Sequence, residues 1–274
     1  HNHSVLIHIN TLKGKGYEFA EKNPSKFHGI GKFNIETGEP LSSGTNYSAV
    51  FGDYLCELAN NDKRICAITA AMSTGTGLVD FSKKFPERFF DVGIAEEHAV
   101  TFSSGLAKNG MIPFFAVYST FLQRSYDQLV HDVAMQDLKV IFGIDRAGFV
   151  GEDGESHQGV FDTAYLMSVP NLTVCAPSSY AELRDMIYQA AYREQYAVAI
   201  RYPRGGEGKT IDGYTYERAD YDVFGDASAE KCIVGFGREF LNVYEAIGEL
   251  DNTFAIKLNK LKPINPNITE LLKN

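Results

Sequence analysis

Between residues 45 and 206, short apolar runs alternate with longer segments in which apolar residues recur every three or four positions. The runs are typical of buried strands, and the segments are typical of helices with one apolar face. We predict strands at residues 65–69, 88–94, 111–117, 138–145, 171–176 and 197–202. The main helices are predicted at residues 46–60, 95–107, 120–136 and 180–194. This alternation predicts an α/β fold built on a doubly wound parallel sheet.

The pattern changes on both sides of this region. Residues 5–9 are predicted to form a strand, whereas residues 18–44 lack periodicity and are typical of a connector. After residue 206 the pattern lapses, and it restarts as strand, helix and strand over residues 231–259. We therefore predict a domain remnant at 1–17, an interdomain linker at 18–44, one domain at 45–206 and a partial α/β domain at 207–274. An isolated strand and a β-α-β unit too small for its own core suggest a chain trimmed at both ends.

Composition and charge narrow the class of protein. The chain is 44% hydrophobic and 22% charged, as in ordinary globular proteins. Its formal net charge of -9 argues against a nucleic-acid partner held by phosphate contacts. No apolar run approaches the roughly 20 residues that span a bilayer, so no membrane partner is expected. The four cysteines show neither CxxC pairing nor zinc spacing, which indicates a reducing compartment and predicts the cytoplasm.

Polar residues follow the carboxyl ends of several predicted strands, where ligands bind in open α/β sheets. These loops cover residues 73–77, 118–124, 145–159 and 201–206, and Glu96 follows the strand at 88–94. Glu96 is a candidate functional carboxylate, although acids are also favoured in the first turn of any helix. Tyr118 and Phe121 are explained either as core residues or as a stacking surface for a cofactor.

The same edge collects cationic side chains in an acidic protein. Arg124, Arg146 and Arg204 each follow a predicted strand end, and arginine suits bidentate recognition of phosphate. Taken one at a time, each could form an ordinary surface ion pair. Asp153 and His157 lie four residues apart in a glycine-rich loop, where such residues commonly face solvent. As a set, the three arginines predict an anion-binding site.

Four motifs together resemble those of the 1-deoxy-D-xylulose-5-phosphate synthase family, which belongs to the transketolase-like thiamine diphosphate enzymes. They are VGIAEEHAVT at 92–101, YSTFLQRSYDQ at 118–128, DRAGFVGEDGESHQG at 145–159 and RYPRG at 201–205. One departure is Glu97, where the family commonly has glutamine. The resemblance covers nearly the whole chain. It implies a pyrimidine-binding domain of the thiamine diphosphate-binding fold, followed by the start of a transketolase C-terminal-like domain.

The resemblance also implies roles for the cofactor side of a site. Glu96 would hydrogen-bond a ring nitrogen of the aminopyrimidine and is a catalytic candidate. Phe121 would stack on that ring, with Tyr118 beside it and Ile94 also touching the cofactor. Tyr118 is expected to contact substrate as well. His8 matches an active-site histidine of the family and is a second catalytic candidate.

On the substrate side, the resemblance implies that Arg146 and Arg204 hold the phosphate of glyceraldehyde 3-phosphate. Arg124, Asp153 and His157 would line the cavity for pyruvate and the sugar hydroxyls, and His157 is a third catalytic candidate. No metal ligands are predicted within the chain. The family's diphosphate-binding Gly-Asp-Gly motif and downstream asparagine do not occur here. Mg²⁺ ligands are therefore expected in an N-terminal domain outside this sequence.

The activity implied is the condensation of pyruvate with glyceraldehyde 3-phosphate, with loss of carbon dioxide, by a homodimeric enzyme. Its product is a precursor of isoprenoids, thiamine and pyridoxal. Two related activities share the glutamate and the sheet, namely transketolase and the β-subunit of 2-oxoacid dehydrogenases. A different class of interpretation is a non-catalytic dimerisation fragment. Because the diphosphate half of the site is expected elsewhere, we expect the chain alone to be inactive.

Overall fold

Seven of the strands form one sheet in the computed structural model, which describes residues 2–41 and 44–273. In chain order the strands are β1 (Ile65–Thr69), β2 (Phe89–Asp91), β3 (Ile112–Tyr118), β4 (Ile141–Asp145), β5 (Leu172–Cys175), β6 (Ala197–Arg201), β7 (Tyr221–Phe224), β8 (Lys231–Phe236), β9 (Thr253–Leu258) and β10 (Lys260–Lys262). The large sheet has the order β10-β5-β6-β4-β3-β1-β2. Within this sheet, strands β1 to β6 are parallel to one another and β10 is antiparallel to β5. The predicted doubly wound α/β class is confirmed.

The helices are short or of moderate length. They are α1 (Glu18–Lys22), α2 (Tyr47–Asn61), α3 (Val79–Lys84), α4 (Glu96–Lys108), α5 (Ser119–Leu122), α6 (Tyr126–Gln128), α7 (Asp162–Ser168), α8 (Tyr180–Tyr192), α9 (Phe240–Ile247) and α10 (Pro266–Leu271). The single helix predicted at 120–136 is wrong. That segment instead passes through α5, a 3-10 turn, α6, a π turn at Leu129–Val133 and a second 3-10 turn. Its apolar spacing predicted the buried face, but the same face can form with several hydrogen-bond registers.

Alternate residues of the parallel strands enter two separate cores. In β1, Ile65 and Ala67 pack in the core beneath α2, whereas Cys66 and Ile68 pack in the core that contains Val100 of α4. Both cores consist of side chains that are essentially fully buried. Helices therefore cover the two faces of the sheet, and the strand ends remain as the place for a site.

The carboxyl ends of the parallel strands lie side by side. The pairing register sets Tyr118 of β3 opposite Asp145 of β4, and Ile144 of β4 opposite Arg201 of β6. The loops that follow β3, β4 and β6 therefore begin at neighbouring points on one edge of the sheet. This is the edge at which the sequence predicted a site.

The tail of the chain forms a second, three-stranded sheet with the order β7-β9-β8. It then returns to the large sheet through β10, in which Lys260 pairs with Cys175 of β5. This return was not predicted, because a three-residue strand carries no periodicity. Thr45–Asn274 forms one compact unit that contains both sheets. The division predicted at residue 206 stays a prediction.

His1–Gly44 forms the other unit. The strand predicted at residues 5–9 is wrong, since these residues have no regular secondary structure and are exposed, with Leu6 at 95%. They pair with no neighbouring strand, and an unpaired strand leaves its backbone groups to water. Residues 17–41 contain α1 and an aromatic cluster in which Tyr17, Phe27 and Phe33 have ring centroids 5.3–5.8 Å apart. Because these aromatic residues are irregularly spaced, the periodicity of apolar positions did not predict the cluster.

Within residues 2–41 and 44–273, no helix is both long and apolar enough to cross a membrane.

Candidate active site

Glu96 is the first residue of α4, directly after the turn that leaves β2. The strand is shorter than predicted and ends at Asp91, whose Oδ1 accepts hydrogen bonds from Ala71 N at 2.8 Å and Gly93 N at 3.0 Å. Gly93 has φ +73°, a conformation that glycine adopts without strain. The turn leaves Ile94 81% exposed and brings Glu96 to 2% exposure. A carboxylate is thus buried at the sheet edge.

The buried carboxylate of Glu96 is paired with a half-exposed arginine. Arg124 Nη1 donates to Glu96 Oε1 at 2.7 Å, and the Arg124 side chain is 43% exposed. Its guanidinium carbon also lies 4.8 Å from the ring centroid of Phe121, a cation–π distance. Burial of an ionised carboxylate is costly without such a partner. The pair joins Glu96 to the 3-10 turn Gln123–Ser125 that follows α5.

Aromatic rings form one wall beside this pair. Tyr118 and Phe121 are stacked, with centroids 5.9 Å apart and planes at 21°, and His157 meets Phe121 edge-on at 5.2 Å. His157 Nδ1 lies 2.9 Å from Ser156 Oγ. A Cβ added at Gly75 would lie 1.6 Å from Tyr118 Oη, so the loop after β1 packs directly on the tyrosine. The stacked rings are therefore packed against His157 and against the loop after β1.

A second group of charges lies against Tyr118. The Arg146 guanidinium carbon is 3.7 Å from the Tyr118 ring centroid. Arg146 Nε donates to Asp153 Oδ2 at 2.8 Å, and Arg204 Nη1 lies 2.6 Å from Asp153 Oδ1. One carboxylate therefore bridges two arginines that come from different strand ends. Two guanidinium groups this close can hold a single anion between them.

Asp145 lies beneath Arg146 at the end of β4, and sequence reasoning gave it no role. Its side chain is fully buried, accepts a 2.6 Å hydrogen bond from Ser48 Oγ and lies 3.2 Å from Arg146 Nη1. Burial raises the pKa of the Asp145 carboxyl to about 6, against the opposing effects of Arg146 and Ser48. Arg146 itself has φ +60°, which is uncommon for a residue other than glycine. An acid directly at a strand end was the signal that could have found Asp145.

The loop between β4 and α7 is closed at its base. Gly148 and Gly159 exchange two backbone hydrogen bonds of 2.8 Å, and a Cβ at Gly159 would lie 2.1 Å from Arg146 O. Beyond the loop, Asp162 forms a buried bidentate pair with Arg201, with nitrogen–oxygen distances of 2.9 and 3.1 Å. Sequence reasoning missed this pair. It ties the start of α7 to the end of β6.

The structure thus brings together most of the side chains that the sequence predicted. The set comprises Glu96, Tyr118, Phe121, Arg124, Arg146, Asp153, His157 and Arg204. His8 lies in the other unit, is exposed, and its role stays a prediction. Among the described residues, no group of three or more His, Cys, Asp or Glu side chains could hold a metal ion.

Residues 43–207 match the family described as transketolase, pyrimidine binding domain, and the chain belongs to this family. More particularly, it is similar to 1-deoxy-D-xylulose-5-phosphate synthases, which confirms the resemblance found in its motifs. The protein of Clostridium kluyveri is 57% identical over 224 residues, covering 80% of this chain and 36% of the relative. The protein of Clostridium tetani is 49% identical over 267 residues, covering 95% and 43%. The chain spans less than half of these relatives' length.

Solved structures support the same fold. A split-gene transketolase, described as an inactive β4 tetramer, is 28% identical with a TM-score of 0.71, covering 84% of this chain and 77% of that one. The transketolase of Campylobacter jejuni has a TM-score of 0.70 at 18% identity, covering 96% and 41%. The second likeness concerns the fold alone.

Proposed function

We propose that this chain supplies the aminopyrimidine and substrate half of the active site of a 1-deoxy-D-xylulose-5-phosphate synthase. The observation that carries the proposal is the buried Glu96 carboxylate beside the stacked Tyr118 and Phe121 rings. The enzyme would condense pyruvate with glyceraldehyde 3-phosphate and release carbon dioxide. The curated relatives with this name support the choice of reaction.

The residues present fit the aminopyrimidine of thiamine diphosphate. A flat heteroaromatic ring needs a stacking surface and a hydrogen-bonding partner for its ring nitrogen. Phe121 and Tyr118 offer the first, and Glu96 offers the second from a site where water is largely excluded. A carboxylate hydrogen bond strengthens in such a low-dielectric environment.

When bound, thiamine diphosphate supplies the carbanion stabilisation that decarboxylation of a 2-oxoacid requires. The chain's own residues would orient the reactants. Glu96 holds the ring nitrogen, and Arg124 keeps the Glu96 carboxylate in place through their 2.7 Å contact. Because Ser156 engages His157 Nδ1, we assign Nε2 as the nitrogen that exchanges a proton with the substrate.

The arginine pair would bind the aldehyde substrate. Arg146 and Arg204 already share the carboxylate of Asp153, so a phosphate could accept from the same guanidinium groups. Arg146 is further fixed by its stack on Tyr118 and by its contact with Asp145. Asp153 would then be available to contact a sugar hydroxyl. Fixed arginines lose little freedom when they bind an anion.

We propose that the diphosphate and Mg²⁺ are held by residues outside this sequence, and that the chain alone is inactive. Two observations support this division: the candidate site offers contacts for a ring and for a substrate phosphate, and the similar split-gene transketolase is described as an inactive β4 tetramer. A homodimer in the cytoplasm is proposed from the family resemblance.

The test is a chimaeric holoenzyme in which this chain replaces the matching 43% of the Clostridium tetani synthase. With thiamine diphosphate and Mg²⁺ present, we expect 1-deoxy-D-xylulose 5-phosphate to form from pyruvate and glyceraldehyde 3-phosphate. The natural synthase is the positive control, and the 274-residue chain assayed alone is the negative control.

Other outcomes separate the alternatives. Transfer of a two-carbon unit from a ketose donor would favour a transketolase, and acyl transfer to a lipoyl acceptor would favour a 2-oxoacid dehydrogenase subunit. A folded chimaera without turnover would favour a non-catalytic dimerisation role. Synthase activity from the isolated chain would contradict the proposed division of the site.

A further inference from the structure

The segment that carries Arg204 is held by the second sheet. Arg238, in the turn after β8, donates from Nη1 to Arg204 O at 3.2 Å and to Gly206 O at 3.5 Å. Two residues earlier, the Phe236 ring lies 5.3 Å from the guanidinium carbon of Arg201. The end of β8 and the turn after it therefore contact the end of β6 and the loop that follows β6.

Two other elements hold the same loop from the large-sheet side. Gly205 O accepts a 3.1 Å hydrogen bond from Tyr47 N at the start of α2. Tyr180, at the start of α8, donates from N to the Glu207 carboxylate at 2.7 Å and accepts from Glu207 N at 3.0 Å. Gly205 has φ +91°, so the chain turns sharply within this frame. The backbone of residues 204–207 is thus fixed from three directions.

Among these contacts, only Arg238 acts on the backbone of Arg204 itself. The carbonyl of Arg204 accepts from Arg238, while its side chain reaches the Asp153 carboxylate on the other side. A charged donor holds a carbonyl more strongly than a neutral one does. We propose that Arg238 is a positioning residue that sets Arg204 for binding the substrate phosphate, so that the second sheet determines affinity for a phosphorylated aldehyde. This inference rests on the proposed function.

The expected effect follows from the geometry. Without Arg238, the loop keeps its contacts to α2 and α8, so the fold and the Glu96 side of the site are retained. The carbonyl of Arg204 loses its charged donor, and small misplacements of a binding group are costly. We expect the KM for glyceraldehyde 3-phosphate to rise about 10-fold in Arg238→Gln, which is about 1.4 kcal/mol.

The experiment measures the chimaeric holoenzyme with glyceraldehyde 3-phosphate and with unphosphorylated glyceraldehyde. Arg238→Gln should raise the KM only for the phosphorylated aldehyde, leaving kcat and the KM for pyruvate unchanged. Arg238→Lys keeps a cationic donor and should recover part of the loss. Arg218→Gln is the matched control, because Arg218 is 66% exposed and pairs with Asp185 away from this loop. Binding of inorganic phosphate to the full chain should weaken in parallel.

Arg204→Gln distinguishes the phosphate-binding role of Arg204 from the positioning role of Arg238. If Arg204→Gln raises the KM for the phosphorylated aldehyde but Arg238→Gln leaves it unchanged, the positioning role is overturned and the proposed function stands. Equal losses for both aldehydes in Arg238→Gln would assign the residue to general stability and would also overturn the inference. If Arg204→Gln does not raise the KM for the phosphorylated aldehyde selectively, both the proposed phosphate site and the positioning role of Arg238 are wrong.

Discussion

Two buried glutamates lie in the first turns of helices at the same edge of the sheet, and their surroundings differ. Glu96 begins α4 after β2, and Glu182 is the third residue of α8 after β5. They are 2% and 0% exposed. Glu96 pairs with Arg124, which is itself half-exposed. Glu182 pairs at 2.7 Å with Lys257, which is fully buried.

Glu182 belongs to a closed polar network. Both of its carboxylate oxygens accept from Ser178, and Lys257 donates further to Asn259 Oδ1 at 2.7 Å and to Tyr214 Oη at 3.2 Å. Since Lys257 lies in β9, this network joins the second sheet to α8 of the large-sheet layer. Its members satisfy one another inside the protein, as buried charges must.

The difference distinguishes a structural carboxylate from a candidate functional one. Burial alone does not separate them, and neither does position in a helix. The two glutamates differ in their partners. Glu182 is paired with a fully buried lysine, whereas Glu96 is paired with a solvent-accessible arginine and lies beside the stacked Tyr118 and Phe121 rings. Four predictions test this difference.

Substitution of Glu96 should give the largest effect on activity. In the chimaeric holoenzyme we expect Glu96→Gln to lower kcat about 1000-fold or more, as loss of a proton-handling group does. The free energy of unfolding should change by only about 1 kcal/mol, because Arg124 can return to water. Steady-state kinetics and urea unfolding give the two values.

The matched control for Glu96 is its neighbour. Glu97 is exposed on the same turn, so Glu97→Gln should leave kcat within about twofold. Near-normal turnover in Glu96→Gln would remove the cofactor assignment. A large loss of stability in Glu96→Gln would show that Glu96, like Glu182, is a structural carboxylate.

Substitution of Glu182 should give the largest effect on stability. Glu182→Gln removes the carboxylate 2.7 Å from the buried Lys257 ammonium and leaves Asp222 Oδ2 at 3.8 Å, so we expect unfolding to become easier by about 3 kcal/mol. Urea unfolding of the full chain measures this. Glu57→Gln is the control, because its pair with Arg184 is exposed and should contribute less than about 1 kcal/mol.

A double variant tests whether the loss comes from charge. Replacing Glu182 and Lys257 together by methionine removes both buried charges and should recover much of the stability that Glu182→Gln loses. If the double variant is no more stable than the single one, the network acts through packing rather than through its charge.

Asp145 gives a third buried carboxylate, and its expected effect depends on pH. Burial raises its pKa from 3.8 to about 6, so the folded chain keeps the proton to a higher pH than the unfolded chain. The resulting stabilisation is fully present below pH 3.8 and is lost as the pH rises through 6. The raised pKa corresponds to about 3 kcal/mol.

Asp145→Asn removes this titration, so stability should fall less between pH 4 and pH 7 than in the natural chain. Unfolding free energies across that range measure the difference, with Asp53→Asn on an exposed helix position as the control. Identical pH profiles for the natural chain and Asp145→Asn would show that Asp145 does not carry this proton.

The sequence predicted the large sheet well because its strands are apolar runs buried on both faces. It also predicted Glu96, Arg146 and Arg204 at one edge, because parallel strands place their carboxyl ends together. It could not predict the Asp162–Arg201 pair or the Arg238 contact, which join residues 39 and 34 positions apart without a repeating pattern. It also missed β10, whose three residues give no period. Long-range polar pairs depend on packing geometry, which spacing does not encode.

The smallest effect concerns the start of α8. Ser179 Oγ accepts from Glu182 N at 3.2 Å, whereas α4 begins after Ala95, which has no side-chain oxygen to cap it. Ser179→Ala should therefore cost about 1 kcal/mol of unfolding free energy, with no change in the KM for either substrate of the chimaeric holoenzyme. Urea unfolding and kinetics on the same variant decide this. If Ser179→Ala instead raised the KM for glyceraldehyde 3-phosphate, the cap would act on the Arg204 loop through the contact of Tyr180 N with Glu207, and the start of α8 would not be purely structural.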